Sequence, residues 1–186
     1  RPENAVESYR RILESDPQDT DALGALETLY ERLENWTELA EVLRTRAHIV
    51  ETEDFAVSMK LARIQEEKLE DNYAAIETLQ QVLAADPNHP GALSACARLY
   101  EKEGNWTELI GILNRLVILE TDDGRRNELV YRIAHVFQHE MNDVEQALAQ
   151  YANILEFNPH HEKTIEALEE LLEGEDFREK AAALLE

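Results

Sequence analysis

Cysteine, glycine, proline and positive charge are all scarce in this chain of 186 residues. A lone cysteine, Cys96, cannot close an internal disulfide or furnish a cysteine zinc cluster. Six Gly and five Pro are few turn-formers for a strand-rich chain of this length, while abundant Ala, Leu and Glu favour helix. No apolar run approaches the roughly 20 residues that cross a bilayer, and nothing resembles the charged and apolar halves of a secretion signal. The glycines are scattered without a Walker or dinucleotide pattern, so nucleotide binding is not supported. Eighteen basic residues stand against 40 acidic ones, and the net charge of −22 repels nucleic-acid backbones and anionic lipid surfaces. Neither nucleic acid nor membrane is therefore expected as a partner. The chain opens at Arg1-Pro2 and stays amphipathic to Glu186, which reads as a fragment of something longer.

What the chain does have is a repeat. Residues 21–39 (DALGALETLYERLENWTEL) match 91–109 (GALSACARLYEKEGNWTEL) at an offset of 70, with eleven identities in nineteen positions. Upstream of the first copy, Ala5, Val6, Tyr9, Ile12, Leu13 and Pro17 recur as Ala75, Ile76, Leu79, Val82, Leu83 and Pro87. They return as Ala147, Leu148, Tyr151, Ile154, Leu155 and Pro159. The spacing puts the apolar residues on one helical face and the proline just past its end. Proline lacks the N–H and disfavours helix at the residue before it, so Asp16-Pro17, Asp86-Pro87 and Asn158-Pro159 act as stops. At the other junction Asn35 and Asn105 are expected as N-caps, with Glu38 and Glu108 completing capping boxes. The same Asn-Trp-Thr triplets match a glycosylation pattern, but their shared place before an apolar helix favours capping.

These signals predict helices at 3–15, 20–33, 36–50, 55–69, 72–85, 90–103, 106–120, 125–140, 143–156, 161–173 and 176–186. Consecutive pairs of such helices bury a core only by stacking on their neighbours. The offset slips from 70 to 72 near 121–128, where a bent or loosened joint is expected at Gly124.

Candidate chemistry is thin. His135 and His139 are four apart on a predicted helix, the spacing at which two imidazoles share a metal, but no third ligand is identifiable and Glu140 is misplaced for the HExxH pattern. His160-His161-Glu162 follows Pro159 and reads as a solvated cap region. Cys96 falls in a helix slot that wants a buried residue, which suits packing better than nucleophilic catalysis. Trp36 and Trp106 open their helices in one repeated slot and read as core, with Phe177 filling that slot in the last repeat. With 40 acids, neighbouring carboxylates are unavoidable, and no pair stands out as a glycosidase dyad. No catalytic, cofactor or metal residue is assigned, and the chain is not expected to be an enzyme.

At Ala75, Leu79, Val82 and Pro87, and in the two parallel sets, the sequence resembles the second helix of a tetratricopeptide repeat with its closing proline. Leu61-Ala62, Cys96-Ala97 with Tyr100, and Ile133-Ala134 with Phe137 fit the large-small pair and following aromatic of the first helix, whereas Leu26-Glu27 and Leu168-Glu169 put an acid in the small slot. The resemblance implies an all-α, right-handed α-solenoid of antiparallel helix pairs, with about eleven helices in five to six repeats. It implies a single array over 1–186, with repeats at 1–17 (partial), 20–50, 55–87, 90–120, 125–159 and 160–186.

It also implies that the first helix of each pair lines a concave groove and that exposed residues there touch a protein or peptide. Projected from the large-small pairs, these are Thr28 and Glu31, then Met59, Arg63 and Glu66, then Ser94, Arg98 and Glu101. Tyr131, His135 and Gln138 follow, and Glu166 and Glu170 close the row at its acidic end. Chaperone-binding members grip a terminal carboxylate with Lys, Arg and Asn at such places. Here Arg63 and Arg98 stand where Asn is wanted and the lysines are missing, so a basic or amphipathic segment is the better guest. The alternative is a regulatory or spacer array beside a catalytic or signalling domain elsewhere, and self-association through the terminal repeats is a further option. Acidic, lysine-poor bacterial repeat proteins look similar, which implies a bacterial cytoplasm.

Overall fold

A computed structural model describes residues 2–49, 55–174 and 176–186. The predicted end of the third helix, at residue 50, lies outside the described residues. Two compact units divide the chain, Arg1–Leu99 and Tyr100–Glu186, the division falling inside one helix. The N-terminal unit holds α1 (Pro2–Ser15), α2 (Thr20–Arg32), α3 (Trp36–Ile49), α4 (Ala56–Glu67), α5 (Asn72–Ala85) and the larger part of α6 (Pro90–Glu103). The C-terminal unit holds the end of α6, then α7 (Trp106–Leu119), α8 (Asp123–His135), α9 (Val144–Phe157), α10 (Glu162–Leu172) and α11 (Arg178–Leu185). Among the described residues the remaining regular element is a π-helical turn, Val136–Glu140, that prolongs α8 in wider winding to the end predicted for a plain α-helix.

The proline stops act as the sequence predicts. Helices α1, α5 and α9 end at Ser15, Ala85 and Phe157, each two residues before its proline, Pro17, Pro87 or Pro159. Each following helix is then capped from one shared slot: Asp19 accepts the Ala22 N–H at 2.7 Å, His89 Nδ1 that of Ala92 at 3.1 Å, and His161 Nδ1 that of Thr164 at 3.3 Å. Pro90 then stands at the first position of α6, where a missing N–H costs nothing. Asp71, Asp122 and Asp143 cap α5, α8 and α9 in the same manner.

Asn105 stands at the predicted N-cap position of α7, but the expected capping bond needs correction. The Asn105 side chain makes no cap hydrogen bond; its backbone N–H instead reaches back 2.8 Å to the Tyr100 carbonyl, while Gly104 N–H bonds Glu101 O at 3.2 Å. Asn35 and Glu34 repeat both bonds, to Tyr30 O at 2.9 Å and Glu31 O at 3.2 Å. This pair of bonds is a Schellman stop, which needs a left-handed residue just before the asparagine. Gly104 at φ 70° and Glu34 at φ 55° supply it. Asparagine thus closes a first helix through its backbone, Asn105 also opening α7 by accepting the Leu109 N–H at 3.0 Å, and Glu38 pairs with Arg10 of α1 at 2.5 Å.

In the N-terminal unit Leu23, Leu26 and Tyr30 of α2 pack with Leu39 and Leu43 of α3 and Leu61 and Ile64 of α4. Trp36 lies partly buried against that core, as its slot predicts, with Lys68 5.0 Å over its ring. In the C-terminal unit Ala147, Tyr151 and Ile154 of α9 join Val130 and Ala134 of α8 and Leu168 of α10, with Phe177 packed alongside. Cys96 is fully buried within α6. The joint expected to be loose at Gly124 is tied: Gly124 lies in the first turn of α8, and Glu120 accepts the N–H groups of Thr121 and Asp122 at 2.8 and 2.9 Å. Arg126 closes the segment on the Glu120 carbonyl at 2.8 Å. Those N–H bonds and Arg125 hold the Glu120 carboxyl below its usual range.

Candidate functional site

The first-helix faces carry most of the ion pairs that join one repeat to the next. In the N-terminal unit Lys60 of α4 bridges Glu31 at 2.8 Å and Glu27 at 2.9 Å on α2, and Arg46 of α3 also binds Glu27. The acid in the small slot at Glu27 therefore reaches two cations, and its side chain is only 15% exposed. Arg98 of α6 grips Glu66 of α4 through both carboxylate oxygens, one contact at 2.7 Å. Thr28 turns its hydroxyl inward to the Gly24 carbonyl at 3.1 Å. Met59 is half-buried and places its methyl 3.3 Å from where a Cβ at Gly91 would stand. Arg63 and Ser94 are exposed.

In the C-terminal unit the same pattern continues with Arg132 of α8 on Glu101 at 2.6 Å and Lys163 of α10 on Glu128 of α8 at 2.6 Å. Between α8 and α10 a half-buried aromatic ring, Tyr131, collects the neighbours. His161 and Tyr151 lie 5.8 and 6.0 Å from it, His135 at 6.4 Å, and the Lys163 ammonium sits 5.8 Å over its face. Burial pushes the Tyr131 phenol up, against the pull of Lys163, and the carboxylates of Glu170, Glu166 and Glu128 add to the rise. Glu166 and Glu170, on α10, are exposed.

His135 and His139 are both exposed, with ring centroids 4.3 Å apart. Burial by neighbouring atoms, then the charge of His139, lowers the His135 pKa. No cluster of three His, Cys, Asp or Glu side chains able to hold a metal gathers among the described residues. Gln138 lies in the π turn and accepts the Tyr151 hydroxyl at 2.7 Å, so it takes part in packing α8 on α9. His161, which read as part of a solvated cap region, is a buried cap whose Nδ1 also meets the Thr164 hydroxyl at 2.9 Å. Among the described residues no helix is long and apolar enough to cross a membrane.

Short-linked helix pairs that share one core pattern and pass ion pairs from first helix to first helix define a helical-repeat protein of the all-α solenoid class. Two models of the tetratricopeptide repeat match, over residues 22–56 and 68–132. The chain belongs to the tetratricopeptide repeat family. Among solved structures, MamA superposes with a TM-score of 0.52 at 17% identity, covering 83% of this chain and 81% of its own. YrrB, a TPR protein with an unusual peptide-binding site, gives 0.51 at 20% identity, over 90% and 84% of the two chains. A Podosopora anserina protein of nearly identical TPR-like repeats gives 0.52 at 21%, over 91% and 92%. At these identities the likeness speaks for the fold. No curated protein matches the chain by sequence.

Proposed function

We propose that the chain is a protein-interaction scaffold, and that the face formed by α8 and α10 docks a basic or amphipathic peptide. The observation that carries this reading is the Tyr131 ring, half-buried and already holding the Lys163 ammonium over its face, with the exposed acids Glu166 and Glu170 on the same helix as Lys163. A lysine or arginine of a guest would take the place of Lys163, gaining the ring and the exposed carboxylates together. YrrB, of the same fold, is described as having a peptide-binding site, which supports the class of ligand. The reading gives the chain no reaction of its own. It keeps the six repeats at the boundaries that the sequence implies.

A panel of peptides differing in Lys and Arg content, followed by fluorescence anisotropy at low and high salt, tests it. Tyr131→Ala and Glu170→Lys should each weaken the best basic peptide, whereas Lys163→Ala should strengthen it by removing a resident competitor. Added salt should weaken binding, because exposed ion pairs are screened. Preference for an acidic peptide, or indifference to all three substitutions, would refute the proposal. The N-terminal unit supports a second reading, that of a regulatory or spacer array. There Glu27, Glu31 and Glu66 are spent on Lys60, Arg46 and Arg98 within the unit, leaving less charge to offer a guest.

A further inference from the structure

The histidines at the end of α8 differ from the two that cap helices. His89 and His161 each spend Nδ1 on a cap, whereas among the described residues no hydrogen bond engages the ring of His135 or of His139. Four residues apart, they stand exposed on one side of the helix with their ring centroids separated by 4.3 Å. The pair spans the π-helical turn: His135 is its cap residue and His139 lies inside it. Among the described residues it is the one π-helical element, and single π turns set into α-helices concentrate at functional sites. Counted from the large-small pairs, α6 carries Arg98 and Lys102 at these two positions and α4 carries Arg63 and Glu67. The paired imidazoles are therefore particular to α8, and the packing of a repeat does not require them.

Imidazole nitrogen suits Cu²⁺, Ni²⁺ and Zn²⁺, while sites made of oxygen alone suit Mg²⁺ and Ca²⁺. A ring nitrogen lies about 2.0–2.1 Å from the metal it binds and about 1.1 Å from its own ring centre, so each centroid would stand about 3.1–3.2 Å from the ion. The observed separation of 4.3 Å then corresponds to an angle of about 85–90° at the ion. That is the cis angle of tetragonal coordination, which Cu²⁺ and Ni²⁺ favour, and it is narrower than the ~109° of tetrahedral zinc. Both rings are exposed and the outer torsion of histidine is broad, so one nitrogen of each can turn to that common point. We infer that His135 and His139 form a surface site for a divalent transition-metal ion, held by one ring nitrogen from each and by water in the remaining positions. No third ligand from this chain is needed, and the open positions leave the ion able to take a donor group from outside. The excess of acidic residues draws cations to the chain without choosing among them, and the two imidazoles make the choice. The site asks nothing of the α8–α10 docking face and stands whether or not that face binds a peptide.

The test titrates the full chain, without peptide, with the chlorides of copper(II), nickel(II), zinc and magnesium in a calorimeter, and records the electron paramagnetic resonance spectrum of the Cu²⁺ form. The account expects Cu²⁺ to bind more tightly than Ni²⁺ or Zn²⁺, Mg²⁺ to bind far more weakly than all three, and the spectrum to show nitrogen splitting from two rings. His135→Ala and His139→Ala should each weaken Cu²⁺ binding by at least about tenfold, the smallest loss expected even when an indirect partner of a ligand is removed. His160→Ala should leave binding unchanged, although His160 is also an exposed histidine with another beside it. Cu²⁺ should raise the melting midpoint of the parent and of His160→Ala more than that of either other variant. Circular dichroism checks that the variants fold, and the spectrum of the parent carries the test if they do not. Coordination by oxygen alone, Mg²⁺ bound as tightly as Cu²⁺, or binding that ignores both His135→Ala and His139→Ala would each overturn the inference.

Discussion

Glutamate at 34 occupies a place where its own repeat shows glycine to be better suited. Glu34 sits at φ 55° and its counterpart Gly104 at φ 70°, and both complete the same pair of stop bonds. A left-handed conformation costs an ordinary residue about 1–2 kcal/mol, and glycine gives back about 0.5–1 kcal/mol in lost chain entropy. Glu34→Gly should therefore stabilise the chain by about 0.5–1 kcal/mol, and Gly104→Ala should destabilise it by a similar amount. Steric crowding does not confuse the second change, since a Cβ at 104 would meet Trp106 no closer than 3.8 Å. In a chain of this size about 1 kcal/mol moves the melting midpoint by roughly 2–4 °C. Urea titrations followed by circular dichroism at 222 nm would measure both. A loss of stability in Glu34→Gly, or a neutral Gly104→Ala, would refute the reasoning.

Glu27→Ala should cost about 1–2 kcal/mol in the same titration, because it removes the partner of Arg46 at a side chain that is 15% exposed and leaves Lys60 with Glu31 alone. Its sequence counterpart Glu169 is exposed, and Glu169→Ala should stay within about 0.5 kcal/mol of the parent. Asp71 accepts the Ala74 N–H at 2.9 Å at the start of α5, so Asp71→Ala should cost about 1 kcal/mol and Asp71→Ser much less. His139→Ala should raise the titration midpoint of the His135 ring in an NMR pH series. Besides burial, the His139 charge holds the His135 pKa down, so removing that charge lets His135 protonate at higher pH. With a folded-state pKa below the unfolded one, His135 favours the fold when neutral and withdraws that contribution as pH falls.

The architecture was largely legible because its signals are local. A proline stop and an apolar stripe lie within one helix, so Ala75, Leu79, Val82 and Pro87 reveal α5 without any knowledge of its neighbours. The caps were harder. Asn35 and Asn105 precede helices, which suits an N-cap and equally the last residue of a helix stop, and the left-handed residue before them is what signals the stop. The pairing of Glu34 with Gly104 in one slot was the available clue, since few other positions accept both. His89 and His161 pass for surface histidines until aligned with Asp19, whose acceptor role they share.

The face residues were the least legible, because exposure on a helix does not say whether a neighbouring repeat has claimed the charge. Glu31 and Lys60, Glu66 and Arg98, Glu101 and Arg132, and Glu128 and Lys163 are separated by 29, 32, 31 and 35 residues, about one repeat. Opposite charges recurring at that distance were the missed signal. The Tyr131 surroundings draw on α8, α9 and α10 at once, so no single helix pattern could outline them.

The central claim is that α8 and α10 together present the docking face, and hydrogen exchange read by mass spectrometry tests it most directly. The chain would be compared alone and saturated with the tightest basic peptide of the panel. The account predicts slowed exchange in peptides covering 124–140 and 162–172, with α9 and α11 unchanged. Protection confined to α9 and α11, or none anywhere on a chain that demonstrably holds the peptide, would contradict it.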